Sequence, residues 1–135
     1  MAPAMLTAEQ VDALGVVPLH PSPEVTASKL LRLRMLATDS NPRIRESVAS
    51  SYNTPTDVFE DLARDPDAGV RAYVAKNESA PCDVLRSLVD DESERVRGFL
   101  AVNFSAPQDA MERLADDPSP LVRDLARWKS ERASA

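Results

Sequence analysis

Residues Leu62 to Leu88 read LARDPDAGVRAYVAKNESAPCDVLRSL, and Leu88 to Leu114 read LVDDESERVRGFLAVNFSAPQDAMERL. Laid over one another, the two stretches agree in chemical type without an insertion or a deletion, and the agreement continues in both directions. Leucines recur every 26 residues at Leu36, Leu62, Leu88 and Leu114, and an aspartate follows each three places on: Asp39, Asp65, Asp91 and Asp117. A β-branched residue and an arginine come next, as Ile44-Arg45, Val70-Arg71, Val96-Arg97 and Val122-Arg123. Ala49, Ala75 and Ala101 share a position, as do Pro55, Pro81 and Pro107, then Asp57, Asp83 and Asp109. A fixed period of this length marks a repeat architecture, in which each unit buries its apolar face only against its neighbours.

Within a unit the apolar residues recur at helical spacing, and two helices are expected. The first and longer one begins at the proline, whose missing N–H costs nothing at the first helical position. Thr54 precedes Pro55 as an N-cap, and Asp57 at the third helical position places negative charge at the positive end of the helix dipole. Its inward residues are Val58, Phe59, Leu62 and Ala63, then Val84, Leu85, Leu88 and Val89, then Ala110, Met111, Leu114 and Ala115. A turn follows at Asp65-Pro66-Asp67 or Asp117-Pro118-Ser119. The second, shorter helix faces inward with Ile44/Val48, Val70/Tyr73/Val74, Val96/Phe99/Leu100 and Val122/Leu125/Ala126. Helices this short are unstable alone in water and must form by stacking.

The expected fold is therefore all-α, an α-solenoid of about four two-helix units over residues 26–129. Residues 1–25 supply a short capping helix, Thr7 to Gly15, and a proline-rich connector carrying His20. A half unit, Thr26 to Leu36, puts Leu33 and Leu36 in register with Phe59 and Leu62, and residues 130–135 are expected to fray beyond Trp128.

The chain has 135 residues and a net charge of −6, all of it in the repeats, because the first 35 residues balance. Such a field opposes phosphate backbones at long range and favours neutral or basic partners. With one cysteine, Cys82, and one histidine, His20, there is no disulfide and no His- or Cys-rich metal site. The opening MAPAML does not read as a secretory signal, no apolar run approaches the roughly 20 residues of a membrane span, and the expected location is the cytoplasm.

The Leu-Ala-x-Asp-Pro turn, the Val-Arg pair, the Ala-x-Asn that follows it (Ala75, Asn77; Ala101, Asn103) and the Ala-Pro helix start resemble leucine-rich repeat variant units, helical relatives of HEAT-type repeats. The resemblance covers roughly Leu30 to Arg127. It implies a right-handed superhelix of alternating short helices and a binding role, and it names no partner. Ser51 replaces the asparagine in the first unit, and Glu78 and Phe104 stand where that family often has proline. Some relatives carry a cysteine cluster for an iron–sulfur centre, which a single cysteine cannot build. No cofactor is implied.

Four aspartate–arginine pairs, Asp39/Arg45, Asp65/Arg71, Asp91/Arg97 and Asp117/Arg123, are the most regular polar feature. Guanidinium forks suit an anionic ligand, but a residue demanded by every unit belongs first to the frame, tying neighbouring turns by charge-assisted hydrogen bonds. The carboxylate pairs Glu60-Asp61, Asp90-Asp91 and Asp116-Asp117 point apart on a helix and read as solvated or capping groups rather than acid–base catalysts. Cys82 fills a variable, exposed slot near a helix start and reads as an incidental thiol.

Positions where the units disagree are freer to serve a partner. The slot Ser50/Lys76/Val102/Trp128 changes character completely, as does Tyr52/Glu78/Phe104. Tyr52, Lys76, Val102, Phe104 and Trp128 are therefore the expected partner-binding residues; in the alternative, Tyr52 and Phe104 fill gaps between units and Trp128 covers the open end of the core. The expected function is a non-catalytic adaptor for a protein or peptide. Two further readings are nucleic-acid binding, which needs Arg43, Arg45, Arg71, Arg95, Arg97, Arg123 and Arg127 on one face free of carboxylates, and self-association through the end of the array. No catalytic constellation is present.

Overall fold

The computed structural model describes residues 26–133, so the expected cap at Thr7–Gly15 and His20 lie outside the described residues. Among the described residues there are eight helices and no strand: α1 Ala27–Leu36, α2 Pro42–Ala49, α3 Thr56–Leu62, α4 Ala68–Lys76, α5 Cys82–Ser87, α6 Glu94–Val102, α7 Gln108–Ala115 and α8 Pro120–Ala133. The fold is all-α.

Local chemistry sets the boundaries. The carboxylates of Asp39, Asp65, Asp91 and Asp117 each accept the backbone N–H two residues on, at 2.8–2.9 Å, which makes every turn an Asx turn. The residue so held then caps the following helix: Asn41 accepts from Arg43, Asp67 from Gly69 and Val70, Ser93 from Val96 and Ser119 from Val122. At the other end, Asn77 and Asn103 stop α4 and α6 by taking extended backbone conformations, ψ 116° and 117°.

Three expectations about these elements are corrected. Pro55, Pro81 and Pro107 are N-caps rather than first helical residues: their ψ values are 151°, 149° and 153°, and their carbonyls accept the first intrahelical bonds. Asp57 is therefore second in its helix, and Thr54 is no cap; its hydroxyl donates to the buried Val48 carbonyl at 2.7 Å. The expected lengths are also reversed. The proline-led helices α3, α5 and α7 have 7, 6 and 8 residues against 8, 9, 9 and 14 for α2, α4, α6 and α8. They start one residue late and close early in tightened i→i−3 turns, as where the Leu88 N–H meets the Leu85 carbonyl. Finally, α8 does not end near Trp128 but continues to Ala133. Lys129 occupies the slot of the helix-stopping Asn77 and Asn103, and a lysine has no such short amide to turn the chain.

Helices α2, α4, α6 and α8 pack side by side in chain order, and α3 and α7 lie against α4 and α8. The core runs between the two sets. Leu62, Leu88 and Leu114 are buried in one cluster with Val70, Val96 and Val122 and with Ala49, Ala75 and Ala101. A β-carbon added to Gly98 in α6 would meet Leu125 Cδ1 of α8 at 3.4 Å, so these two helices approach closely there. Ala115 is exposed, unlike the buried Ala63 in its slot. The last helix changes chemistry where α4 and α6 carry buried Ala72, Gly98, Ala75 and Ala101: in those slots it has Asp124 and Arg127, both exposed and 3.7 Å apart.

Candidate interaction groove

The polar frame accounts for most of the arginines. Arg45, Arg71 and Arg97 each place Nε and Nη2 on the carboxylate 20 residues ahead, Asp65, Asp91 and Asp117, with Nε–Oδ2 distances of 2.7, 2.8 and 2.9 Å. Each also donates from Nη1 to the backbone carbonyl of the aspartate in its own turn, Asp39, Asp65 or Asp91. The fork therefore joins one turn to the next, and the aspartate six residues earlier contributes its carbonyl, not its carboxylate. Among the described residues Arg123 has the carbonyl bond to Asp117 and no carboxylate, and the Asp39 carboxylate accepts only the Asn41 N–H. Burial by itself would raise the pKa of Asp65, but the Arg45 fork and the Asp67 amide outweigh it and hold the carboxyl below its ordinary value. Hydrogen bonding to Asp91 raises the pKa of Arg71 against the opposing effect of burial.

A second tie runs through asparagine. Asn77 Nδ2 donates to the carbonyls of Ala49 and Ser51, and Asn103 Nδ2 donates to those of Ala75 and Asn77. In the last unit Lys129 takes over, its buried ammonium donating to the Asn103 carbonyl and approaching Met111 Sδ. It has no carboxylate partner among the described residues, and burial lowers its pKa. Exposed pairs also link α1 to α3 through Arg34–Asp57, α5 to α7 through Arg86–Asp109, and α7 to the turn after α5 through Arg113–Asp90. The adjacent carboxylates do not converge on one point: Asp90 meets Arg113, Asp91 meets Arg71 and Asp117 meets Arg97. Among the described residues no cluster of three His, Cys, Asp or Glu is arranged to hold a metal ion. Cys82 is exposed at the start of α5.

What the frame leaves free gathers on one face of α4 and α6. A groove of about 410 Å³ is lined there by Tyr52, Lys76, Val102 and Phe104, together with Tyr73, Phe99 and Glu78. Tyr52 and Phe104 are 75% and 60% exposed, too open to be filling gaps between units. Tyr73 and Phe99 pack against the core as expected, but they are only half-buried and also line the groove. Their slot reads Ser47, Tyr73, Phe99, Leu125, and that disagreement among the units was a signal available in the sequence. The Lys76 ammonium lies 5.9 Å from the Tyr73 ring centre and 5.7 Å from that of Phe99, and the Arg95 guanidinium lies 5.6 Å from the same Phe99 ring. Trp128 is 44% exposed and does not line the groove; the Arg132 guanidinium lies 5.2 Å from its ring centre.

No protein-family model matches this chain, and neither a curated protein nor a solved structure matches it. The leucine-rich-repeat-variant resemblance thus stands on the residues that suggested it. No helix among the described residues is long and apolar enough to cross a membrane.

Proposed function

We propose that this chain is a non-catalytic binding scaffold, a right-handed α-solenoid of about four leucine-rich-repeat-variant-like units whose α4–α6 face takes up a protein or peptide in the cytoplasm. The observation that carries this reading is the placement of Tyr52, Tyr73, Phe99 and Phe104 around one open groove at positions the repeat does not constrain. Exposed aromatic residues clustered in a concavity are the usual anchors of interfaces. The frame around them supports rigidity, since the Asp–Arg and asparagine ties fix each turn against the next.

The nucleic-acid alternative has less support. Of the seven arginines it requires, Arg45, Arg71 and Arg97 are engaged by aspartates, Arg43 by Glu46 and Arg127 by Asp124. Self-association through the last unit is opposed by Asp124 and Arg127, because stacking another helix there would strip water from charges that the interior units replace with glycine and alanine.

The test is affinity capture from native extract, with and without nuclease, using the wild-type chain and a Tyr52→Ala/Phe104→Ala variant. A defined protein retained in both wild-type arms and lost with the variant is the expected result. Nucleic acid, or proteins lost after nuclease, would overturn the reading.

A further inference from the structure

The charges at the groove run opposite to those of the whole chain. The chain carries −6, which favours neutral or basic partners at a distance. Around the aromatic residues α2 presents Arg43, α4 presents Lys76 and α6 presents Arg95, against the carboxylates of Glu46 and Glu78. Arg43 is already paired to Glu46. Among the described residues Lys76 and Arg95 make no ion pair, yet both reach the ring of Phe99, within 5.7 and 5.6 Å of its centre. Two cations held beside one ring make its surroundings positive. An anion placed near the ring would be attracted by both.

We infer that the groove is built for an acidic peptide segment, with a carboxylate beside Phe99 near Lys76 or Arg95 and an apolar side chain seated against Tyr52, Val102 and Phe104. The inference rests on the binding role proposed above and adds the chemistry of the partner. A short peptide fits better than a folded surface, because the groove, at about 410 Å³, has room for only a few side chains. Glu78, on the rim, disfavours a ligand with negative charge at every position and so selects for charge at the Phe99 end. The net acidity of the chain slows the approach of such a ligand, so the recognition is local and short-ranged, and it weakens as salt rises.

The experiment has an unbiased arm and a defined arm. A random peptide library displayed on phage is selected against the wild-type chain and against Tyr52→Ala/Phe104→Ala. In parallel, fluorescence anisotropy measures binding of three labelled probes: a peptide with tryptophan flanked by glutamates, its lysine counterpart, and single-stranded poly-uridine. The expected result is enrichment of acidic sequences bearing a large apolar residue, and preference for the glutamate peptide. Lys76→Glu/Arg95→Glu should weaken that peptide by about tenfold or more and turn the preference toward the lysine peptide, while Glu78→Gln tightens it. Both cations are exposed, and circular dichroism will show whether the helices are kept. If the lysine peptide binds better and needs Tyr52 and Phe104, the charge inference falls and the groove reading stands. If poly-uridine binds most tightly, or the double charge reversal changes nothing, the inference is overturned. If no sequence is enriched on the wild-type chain and no probe binds it, both readings fall together.

Discussion

Replacing Arg71 by alanine and, separately, Arg123 by alanine tests what the repeated aspartate–arginine spacing does. The two arginines occupy the same slot, follow the same β-branched residue and donate to the same kind of backbone carbonyl, Asp65 O at 2.6 Å and Asp117 O at 2.7 Å. They differ in what lies ahead. Arg71 forks the Asp91 carboxylate with both side chains less than 10% exposed, whereas Arg123 pairs with no carboxylate among the described residues. Removing one partner of a buried pair costs about 3–5 kcal/mol, because the other charge stays buried. The Asp91 carboxylate keeps the Ser93 N–H at 2.9 Å, so the lower end, about 3 kcal/mol, is expected for Arg71→Ala. Losing only the carbonyl bond in Arg123→Ala should cost about 1–1.5 kcal/mol. At roughly 4 °C per kcal/mol for a chain of this size, the two variants should melt about 12 °C and about 5 °C below wild type. Urea unfolding followed by circular dichroism gives the same difference as free energies. Equal losses for the two variants would show that the fork to the next turn contributes nothing, and that the repeated arginine serves only its own turn.

Other consequences are independently measurable. Leu88→Ala, at a fully buried central position, should cost about 2–5 kcal/mol and lower a single cooperative transition; a variant melting like wild type would contradict the stacked core. Asn103→Ala removes two buried donations, to the Ala75 and Asn77 carbonyls, and should cost about 1–3 kcal/mol, read by urea titration. Lys129 is buried without a carboxylate, and its folded-state pKa lies below its ordinary 10.5. The folded state therefore holds its proton less tightly than the unfolded chain does, and stability rises as pH climbs through the lowered value toward 10.5. Lys129→Asn, which restores the residue of the earlier units, should melt above wild type at neutral pH and lack that rise; a lower melting point would refute this. Asp65 has the opposite sense: its depressed folded-state pKa contributes stability above its ordinary value of 3.8 that is lost as pH falls through the depressed one. Acid titration of Arg45→Met should show a shallower loss than wild type.

The legibility of this protein follows the range of the interactions concerned. Helix content and core positions could be read because a period repeated without gaps writes the same burial pattern several times. Leu62, Leu88 and Leu114 are fully buried at the positions their spacing marks. Boundaries were read less well, since they turn on local backbone choices that propensity leaves nearly balanced. A proline suits an N-cap as well as a first helical position, and Thr54 had a better use for its hydroxyl in the Val48 carbonyl. The groove was legible in part: Tyr52, Lys76, Val102 and Phe104 were marked by disagreement among units, but Trp128 lies outside it, and Tyr73 and Phe99, which pack against the core as read, also line the groove.

The sequence by itself determined that the chain is helical, which residues the core requires, and that arginine and aspartate recur as part of the frame, because each of these is repeated and each follows from short-range pattern. Only the tertiary structure decided that Arg45, Arg71 and Arg97 reach carboxylates 20 residues ahead, that Lys129 substitutes for an asparagine tie, and that Lys76 and Arg95 meet at one aromatic ring. Those facts depend on how far one turn is carried past the next when helices stack. That distance is set by side-chain packing between units, such as Leu125 of α8 against Gly98 of α6, and no local stretch of sequence encodes it.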